Sequence, residues 1–210
     1  MARRSDPFAV EITPELILRA YRAGIFPMAE DAEDTDIFWV SPDLRGIIPL
    51  DGFHASRSLR KTMRKSGWTI RVDSDWDGVI EGCATVGADR DTTWINATIR
   101  SVYGELFRRG IAHTVEVWNG PELIGGLYGL AIGAAFFGES MFHRRTDASK
   151  VAMAHLVDRL NKGGFELLDT QFLTDHLASL GGVEITRTEY EERLARATAH
   201  DADWHAWDRQ

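Results

Sequence analysis

Few of the side chains that commonly carry out enzyme chemistry occur here in a pattern that supports it. Cys83 is the single cysteine, which excludes an intramolecular disulfide and a thiolate metal cluster and suggests a buried structural thiol. Ser140 lies in Gly138–Phe142 (GESMF), which lacks the second glycine of a serine-hydrolase nucleophile elbow. None of the histidines pairs at the i, i+4 spacing of a zinc-binding helix; they are His54, His113, His143, His155, His176, His200 and His205. The sequence therefore predicts no metal site.

A basic cluster stands out in an acidic chain. Lysine and arginine number 24 against 32 aspartates and glutamates, which gives a formal net charge of −8. This balance excludes a protein that coats nucleic acid indiscriminately, because non-specific affinity comes from a basic field. The segment from Ser56 to Ser66 is nevertheless predicted to be a helix with five basic residues: Arg57, Arg60, Lys61, Arg64 and Lys65. Charge alone leaves two interpretations open, a solvated helix face and a surface that binds phosphate groups.

The spacing of apolar residues predicts alternating helices and strands. Helices are predicted to begin near Pro14, Ser56, Asp75, Asn96, Asp147 and Thr188. Strands are predicted at Ile37–Val40, Gly46–Leu50, Trp68–Val72, His113–Trp118, Leu123–Leu130, Ala134–Phe142 and Phe165–Gln171. Asn119-Gly120 is typical of a hairpin turn. The pattern indicates a mixed α/β sheet with antiparallel hairpins, and not a doubly wound nucleotide-binding fold.

Neither export nor membrane insertion is expected. No apolar run approaches the roughly 18–20 residues that a bilayer-spanning helix needs. Arg3 and Arg4 are not followed by an apolar run of signal-peptide length. We therefore expect a cytoplasmic protein that does not contact the membrane.

Eight short motifs, in this order, resemble those of one enzyme family. They are Tyr21–Pro27 (YRAGIFP), Trp39–Pro42 (WVSP), Ser56–Leu59 (SRSL), Thr93–Asn96 (TWIN), Val115–Trp118 (VEVW), Gly138–Phe142 (GESMF), Asp147–Lys150 (DASK) and Leu168–Gln171 (LDTQ). Together, from Ile12 to Leu194, the chain resembles the leucyl/phenylalanyl-tRNA–protein transferase family.

The resemblance implies both a fold and an activity. The fold has a C-terminal domain like the acyltransferase fold of the acetyl-CoA N-acetyltransferases, after a small N-terminal domain. We expect the N-terminal domain, with the basic helix, at 1–66, the catalytic domain at 67–199 and a tail at 200–210. The implied reaction moves Leu or Phe, less often Met, from aminoacyl-tRNA to a protein that begins with Arg or Lys. The new N-terminus marks that protein for degradation, and no cofactor or metal is implied.

The resemblance also implies site residues. A carboxylate–amide pair proposed to assist catalysis in the family falls on Asp169 and Gln171, and the glutamate of the GESMF motif is Glu139. Leu127, Phe136 and Met141 would form the apolar pocket for the transferred side chain. The remaining substrate-binding residues would be Tyr21, near the 3′ adenosine, with Met28, Trp39, Trp94, Ser140 and Thr174. The five basic residues of the predicted helix would hold the tRNA phosphates.

The roles of the three polar residues stay open on physical grounds. Asp169 and Gln171, two apart on a strand, are expected on one face, where the carboxylate could orient an amide that accepts a hydrogen bond from an amine. Alternatively, Asp169 caps a neighbouring loop and Gln171 satisfies a strand edge. Glu139 either holds a cationic acceptor or is buried with an internal arginine such as Arg144 or Arg145. The three apolar residues would be ordinary core in any fold.

Three departures from the family pattern concern substrate binding and the N-terminal domain. Met28 stands where many members have an aromatic residue that stacks on the terminal adenine. Thr174 stands where an asparagine is usual. The usual N-terminal extension is largely absent, which suggests a trimmed N-terminal lobe.

Two other functions are compatible with the implied fold. A CoA-dependent N-acetyltransferase would need an Arg/Gln-x-x-Gly-x-Gly/Ala turn after a central strand, and none follows Leu130, Phe142 or Gln171. A non-catalytic tRNA-binding protein could keep the fold, but the presence of Glu139 together with Asp169 and Gln171 disfavours it.

Overall fold

A mixed seven-stranded sheet with helices on both faces forms the body of the protein. The structure, a computed structural model, describes residues 12–33, 37–85 and 93–209. The helices are α1 (Pro14–Arg22), α2 (Arg57–Lys65), α3 (Trp76–Ala84), α4 (Ala97–Arg108), α5 (Ala148–Gly163), α6 (Asp175–Ser179) and α7 (Arg187–Ala197). The strands are β1 (Phe26–Met28), β2 (Phe38–Val40), β3 (Leu44–Ile47), β4 (Thr69–Val72), β5 (Ala112–Asn119), β6 (Glu122–Ile132), β7 (Ala135–His143), β8 (Leu167–Gln171) and β9 (Val183–Thr186).

The strand order in the main sheet is β4-β5-β6-β7-β8-β3-β9, and β1 and β2 form a separate two-stranded sheet. All neighbours in the main sheet are antiparallel except β7 and β8. The predicted mixed α/β class is therefore confirmed. The short elements β1, α6 and β9 were not predicted, because runs of three to five residues carry too little periodicity to identify.

Two hydrophobic cores lie on opposite faces of the sheet. One core packs α1, α3, α4 and α7 on the sheet, with Ile17, Val79, Ile99 and Leu194 as buried representatives. The other packs α2 and α5, through Leu59 and the α5 residues Val151, Leu156 and Leu160. This burial of one stripe of each helix is what holds β7 and β8, the strands that form the site, in place.

The predicted boundary at residue 66 does not coincide with a break in the sheet. β3 lies before that boundary, yet it pairs with β8 on one side and β9 on the other. Residues 200–209, which the sequence did not place, also join the main body. There the 3-10 helix Trp204–Trp207 packs against α5, with Trp204 stacked on Phe136 at 5.3 Å between ring centroids.

The parallel pairing of β7 and β8 is short. It comprises Ala135 with Leu167, Phe136 with Leu168, and Phe137 with Asp169. Beyond these pairs β7 continues beside β6 to His143, whereas β8 ends at Gln171. A gap therefore opens between two neighbouring strands inside the sheet.

Among the described residues, no helix is long and apolar enough to cross a membrane.

Candidate active site

Two adjoining cavities occupy the gap where β7 and β8 separate. The larger one, of about 390 Å³, is bounded by Phe26–Met28, Trp94, the β7 residues from Glu139 to Met141 and the chain from Thr170 to Phe172; we call it the main cavity. The smaller one, of about 80 Å³, shares the same β7 and β8 residues and extends to Leu127, Met153 and Leu156; we call it the small cavity. Glu139 and Gln171 line both.

Asp169 is completely buried in a buried ion pair beneath the end of β8. Arg45 of β3 binds both carboxylate oxygens, Nε to Oδ1 at 2.9 Å and Nη2 to Oδ2 at 2.6 Å. The Tyr190 hydroxyl and the Gln171 backbone N–H each donate to the same carboxylate at 2.9 Å. The Arg45 guanidinium also lies 4.4 Å from the ring centroids of Phe26 and Tyr190. With four donors and no contact with either cavity, Asp169 is placed to position its neighbours.

Gln171 departs from the regular strand that the sequence predicts. Its φ is +59°, in the left-handed region that residues other than glycine rarely occupy. The expected sharing of one face with Asp169 is therefore wrong, because Gln171 lines the cavities beside its neighbour Thr170. Gly46 makes room for this turn, since a Cβ there would lie 2.5 Å from the Phe172 carbonyl carbon. Asp169 orients Gln171 through the backbone N–H, and not through the side-chain amide.

Two buried polar atoms on β8 at the gap have no hydrogen-bond partner among the described residues. They are the Gln171 side-chain nitrogen Nε2 and the Thr170 hydroxyl oxygen Oγ1. An unpaired buried polar group costs free energy, so native structures rarely retain one without a use. Both residues line the two cavities, where a bound molecule could supply the missing partners.

Glu139 lies on the opposite side of the gap, bonded to two tyrosines. The Tyr21 hydroxyl donates to its Oε1 at 2.7 Å, Tyr103 donates to Oε2 at 3.3 Å, and the two phenol oxygens are 2.6 Å apart. Burial raises the pKa of Glu139 to about 8, against the opposing effect of the Tyr21 hydrogen bond. The alternative of an internal arginine partner is wrong, because Arg144 donates to the Leu123 carbonyl and Arg145 binds Glu122.

Of the three predicted apolar pocket residues, two line a cavity and one does not. Leu127 and Met141 line the small cavity, where Met153, Leu156 and Leu177 complete the apolar wall. Phe136 lines neither cavity; it is fully buried among Phe165 and Trp204. Phe136 lies on β7 before the two strands separate, where it is paired with Leu168. The alternation of side chains along the strand places it in the core, and not at the gap.

The other predicted substrate contacts also fall into two groups. Met28, Trp94, Ser140 and Thr174 line the main cavity. Tyr21 is fully buried behind Glu139, so its contact is with that carboxylate, and not with a ligand. Trp39 is outside the lining; it lies on β2 opposite Pro27, 38% exposed.

The residues of the site region that were not predicted from the sequence include Arg45, Tyr103, Tyr190 and His176. Arg45 gave a faint signal, because it is a single cation directly before the apolar run Gly46–Leu50. Tyr103 and Tyr190 gave none, since each is spaced along its helix like any core residue. His176 lines the main cavity from α6, a helix too short to identify.

The basic helix is α2, and all five of its predicted basic side chains are exposed. None of them forms an ion pair within the described part of the chain. The α2 residue Thr62 instead bonds Asp147, the residue before α5. A helix is predicted to begin near Asp147, and α5 does begin there, but the Asp147 side chain makes no capping hydrogen bond. Among the described residues, no group of three or more histidines, cysteines or carboxylates could hold a metal ion.

These features define a mixed α/β protein with a cavity inside its sheet, lined by one ionisable carboxylate, one amide and an apolar wall. Such a site is suited to binding and orienting reactants. The family description "Leucyl/phenylalanyl-tRNA protein transferase" matches residues 47–195, and its N-terminal domain matches residues 10–43. The chain belongs to the leucyl/phenylalanyl-tRNA protein transferase family.

Individual relatives agree with this assignment. A Ruegeria pomeroyi protein named leucyl/phenylalanyl-tRNA–protein transferase is 57% identical over 197 residues, 94% of this chain and 92% of the relative. A Roseobacter denitrificans protein of the same name is 56% identical over 93% of this chain and 91% of its own. Among solved structures, that of L-PGS from Bacillus licheniformis has a TM-score of 0.45 and 11% identity over 63% of this chain and 48% of its own.

The buried ion pair leads to a prediction for stability. Asp169→Asn leaves the Arg45 charge buried without its partner, which should lower the free energy of unfolding by about 3–5 kcal/mol. Tyr190→Phe removes one hydrogen bond to a charged group and should cost less, about 1.5–3 kcal/mol. Urea unfolding measures both.

Arg193→Ala is the matched control, because it breaks the exposed ion pair with Glu189 on α7. It should change the free energy of unfolding far less. Equal effects of Asp169→Asn and the control would contradict the structural importance of the buried pair.

Proposed function

We propose that the protein transfers Leu or Phe, less often Met, from aminoacyl-tRNA to a protein that begins with Arg or Lys. The product is a peptide bond and a new N-terminus that marks the acceptor for degradation in the N-degron pathway. The observation that carries this proposal is the gap between β7 and β8, where an amide and a carboxylate face an apolar cavity. Family membership and relatives that bear the transferase name support it. We place the reaction in the cytoplasm, where charged tRNA is found.

The chemistry fits a site without a covalent nucleophile. An aminoacyl ester is already activated, so an amine can attack it directly and the proposed reaction needs no cofactor or metal. The attacking N-terminal amine has an ordinary pKa of about 7.7–8.0, so freeing its lone pair at neutral pH costs only about 1–1.4 kcal/mol. What remains is mainly orientation, and well-oriented reactants can gain roughly 7–11 kcal/mol.

Gln171 is the residue that we assign to orienting the amine. Its carbonyl oxygen can accept a hydrogen bond from the attacking nitrogen, and its Nε2 has no partner among the described residues. Asp169 supports this role from beneath, because it fixes the backbone at Gln171 through the N–H. Asp169 is thus a positioning residue in the proposal, and Gln171 is the catalytic residue.

The two cavities suit the two parts of the aminoacyl-adenosine. We assign the small cavity to the transferred side chain, because Leu127, Met141 and Leu156 give it an apolar wall. We assign the terminal adenosine to the main cavity, which Trp94 and Met28 line. Trp94 offers a flat ring for stacking, worth about 1–3 kcal/mol per base, whereas the Met28 thioether provides a softer contact.

The transfer reaction itself is directly testable. Peptides that begin with Arg or Lys, incubated with the protein and with charged tRNA-Leu or tRNA-Phe, should gain the mass of one Leu or Phe residue at the N-terminus. Mass spectrometry measures the gain, and a peptide that begins with Ala is the control acceptor. Gln171→Ala should lower the rate at saturating substrates far more than it weakens tRNA binding. No mass gain with the wild-type protein would refute the proposed function.

The basic helix generates a second prediction, for tRNA affinity. We assign Arg57, Arg60, Lys61, Arg64 and Lys65 to tRNA phosphates, because α2 exposes them all. Arg60→Ala with Arg64→Ala should flatten the slope of log affinity against log salt by roughly 0.7–0.9 per lost contact. Transfer from a short aminoacyl-adenosine should stay unchanged.

The matched control removes two arginines elsewhere, Arg193→Ala with Arg196→Ala on α7. Net charge falls equally in both double variants, so a general electrostatic effect would alter both slopes alike. An unchanged slope in the α2 variant would make that helix merely a solvated face.

A further inference from the structure

The two cavities contain few groups able to exchange a proton. Among their described lining residues, three have ionisable side chains: Glu139, His176 and Tyr128. Of these three, only Glu139 lines both cavities. Asp169 is sealed beneath β8, and the amide of Gln171 is not a base. Burial and the charges of Lys150 and His143 lower the pKa of His176, and its Nε2 is buried, which makes it a weaker base than an ordinary histidine.

The surroundings of Glu139 favour a carboxyl group that gains and loses a proton near neutral pH. It forms no ion pair with any described residue, and its direct partners are the hydroxyls of Tyr21 on α1 and Tyr103 on α4. The other groups that act on it are Asp169 on β8, which disfavours ionisation, and Arg45 on β3, which favours it. Burial raises the pKa of both phenols well above its usual range, so they remain protonated donors.

We propose that the Glu139 carboxylate is the base that takes a proton from the α-ammonium group of the acceptor protein. The proposal rests on the proposed function and deepens it. Its support is geometric, because Glu139 stands at the junction of the cavities, across the gap from Gln171 and with phenol hydrogen bonds that stabilise its anion. Gln171 then orients the nitrogen, and Glu139 removes the proton that blocks its lone pair.

The proton and electron balance closes without another reactant. Glu139 takes one proton from the ammonium group, and the freed lone pair forms the N–C bond to the ester carbonyl carbon. The C–O bond to the ribose breaks with its electron pair, and the departing ribose oxygen takes the second proton that the nitrogen loses. Glu139 then releases its proton to solvent.

The pKa values of the proton donor, the N-terminal ammonium group, and of the proton acceptor, Glu139, are close. The pKa of Glu139 is raised to about 8 by burial, and that of an N-terminal amine is about 7.7–8.0. Proton transfer between groups of nearly equal pKa costs almost nothing, and general base catalysis works best in that range. A carboxylate with an ordinary pKa of about 4.3 would be a poor base for the same ammonium group.

The experiment is the pH dependence of kcat/KM, with an acceptor peptide that begins with Arg. The productive state below the pKa of the amine pairs ionised Glu139 with the ammonium form, so the wild-type profile should rise through the pKa of Glu139 and level off above the pKa of the amine, whose lone pair is then already free. Glu139→Gln should lower kcat/KM near pH 7 by up to about ten-fold, because the amine must then lose its proton without a base, and kcat/KM should recover towards the wild-type value above the pKa of the amine. Tyr21→Phe, which removes a hydrogen bond that favours the anion, should move the rising limb to higher pH.

The controls separate this proposal from its alternatives. Glu184→Gln, at an exposed position on β9, should keep the wild-type profile. If Glu139 only held the acceptor's guanidinium, which stays charged throughout, the loss of kcat/KM in Glu139→Gln would persist above the pKa of the amine. That result, or equal wild-type and Glu139→Gln profile shapes, would overturn the proposal. Absence of any transfer by the wild-type protein would instead refute the proposed function.

Discussion

The buried pair of Arg45 and Asp169 is the interaction on which the site depends. A buried carboxylate is tolerable only when its charge is paired and its oxygens are hydrogen-bonded, and here Arg45, Tyr190 and the Gln171 backbone supply four donors. These donors come from β3, α7 and the end of β8, while Arg45 also donates to the Gly24 carbonyl after α1. One ion pair thus ties the N-terminal segment, the sheet and the last long helix to a single point.

The Arg45–Asp169 pair supports the unusual backbone conformation at the end of β8. A left-handed conformation costs a residue such as Gln171 of order 1–3 kcal/mol and persists only where the surroundings fix it. Asp169 fixes the N–H of Gln171, and Gly46 leaves space for the chain that follows. The turn ends the parallel pairing with β7 and aims Gln171 into the gap, opposite Glu139. The two carboxylates therefore differ in their surroundings, since Asp169 is bound by Arg45 inside the protein whereas Glu139 lines both cavities.

The sequence was sufficient for the class of fold and the family, because eight ordered motifs and the strand periodicity carry that information. It also predicted residues that line the cavities, among them Glu139, Gln171 and Met141. The strand face predicted for Gln171 was wrong, because strand alternation assumes extended backbone and nothing in the local sequence signals a positive φ. The prediction that Phe136 lines the apolar pocket was wrong, because the point where β7 and β8 separate is set by tertiary structure. Arg45 and Tyr103 were missed for the same reason, since their partners lie more than thirty residues away.

We propose that Asp169 acts by holding the backbone at Gln171, and amide hydrogen exchange at Gln171 measures this effect. In the wild-type protein this N–H should exchange slowly, like an amide within the sheet, because it donates to Asp169. Asp169→Ala should accelerate its exchange far more than that of Val117, whose strand β5 lies several strands away. Rapid exchange at Gln171 in the wild-type protein, or equal acceleration at both positions, would contradict this role of Asp169.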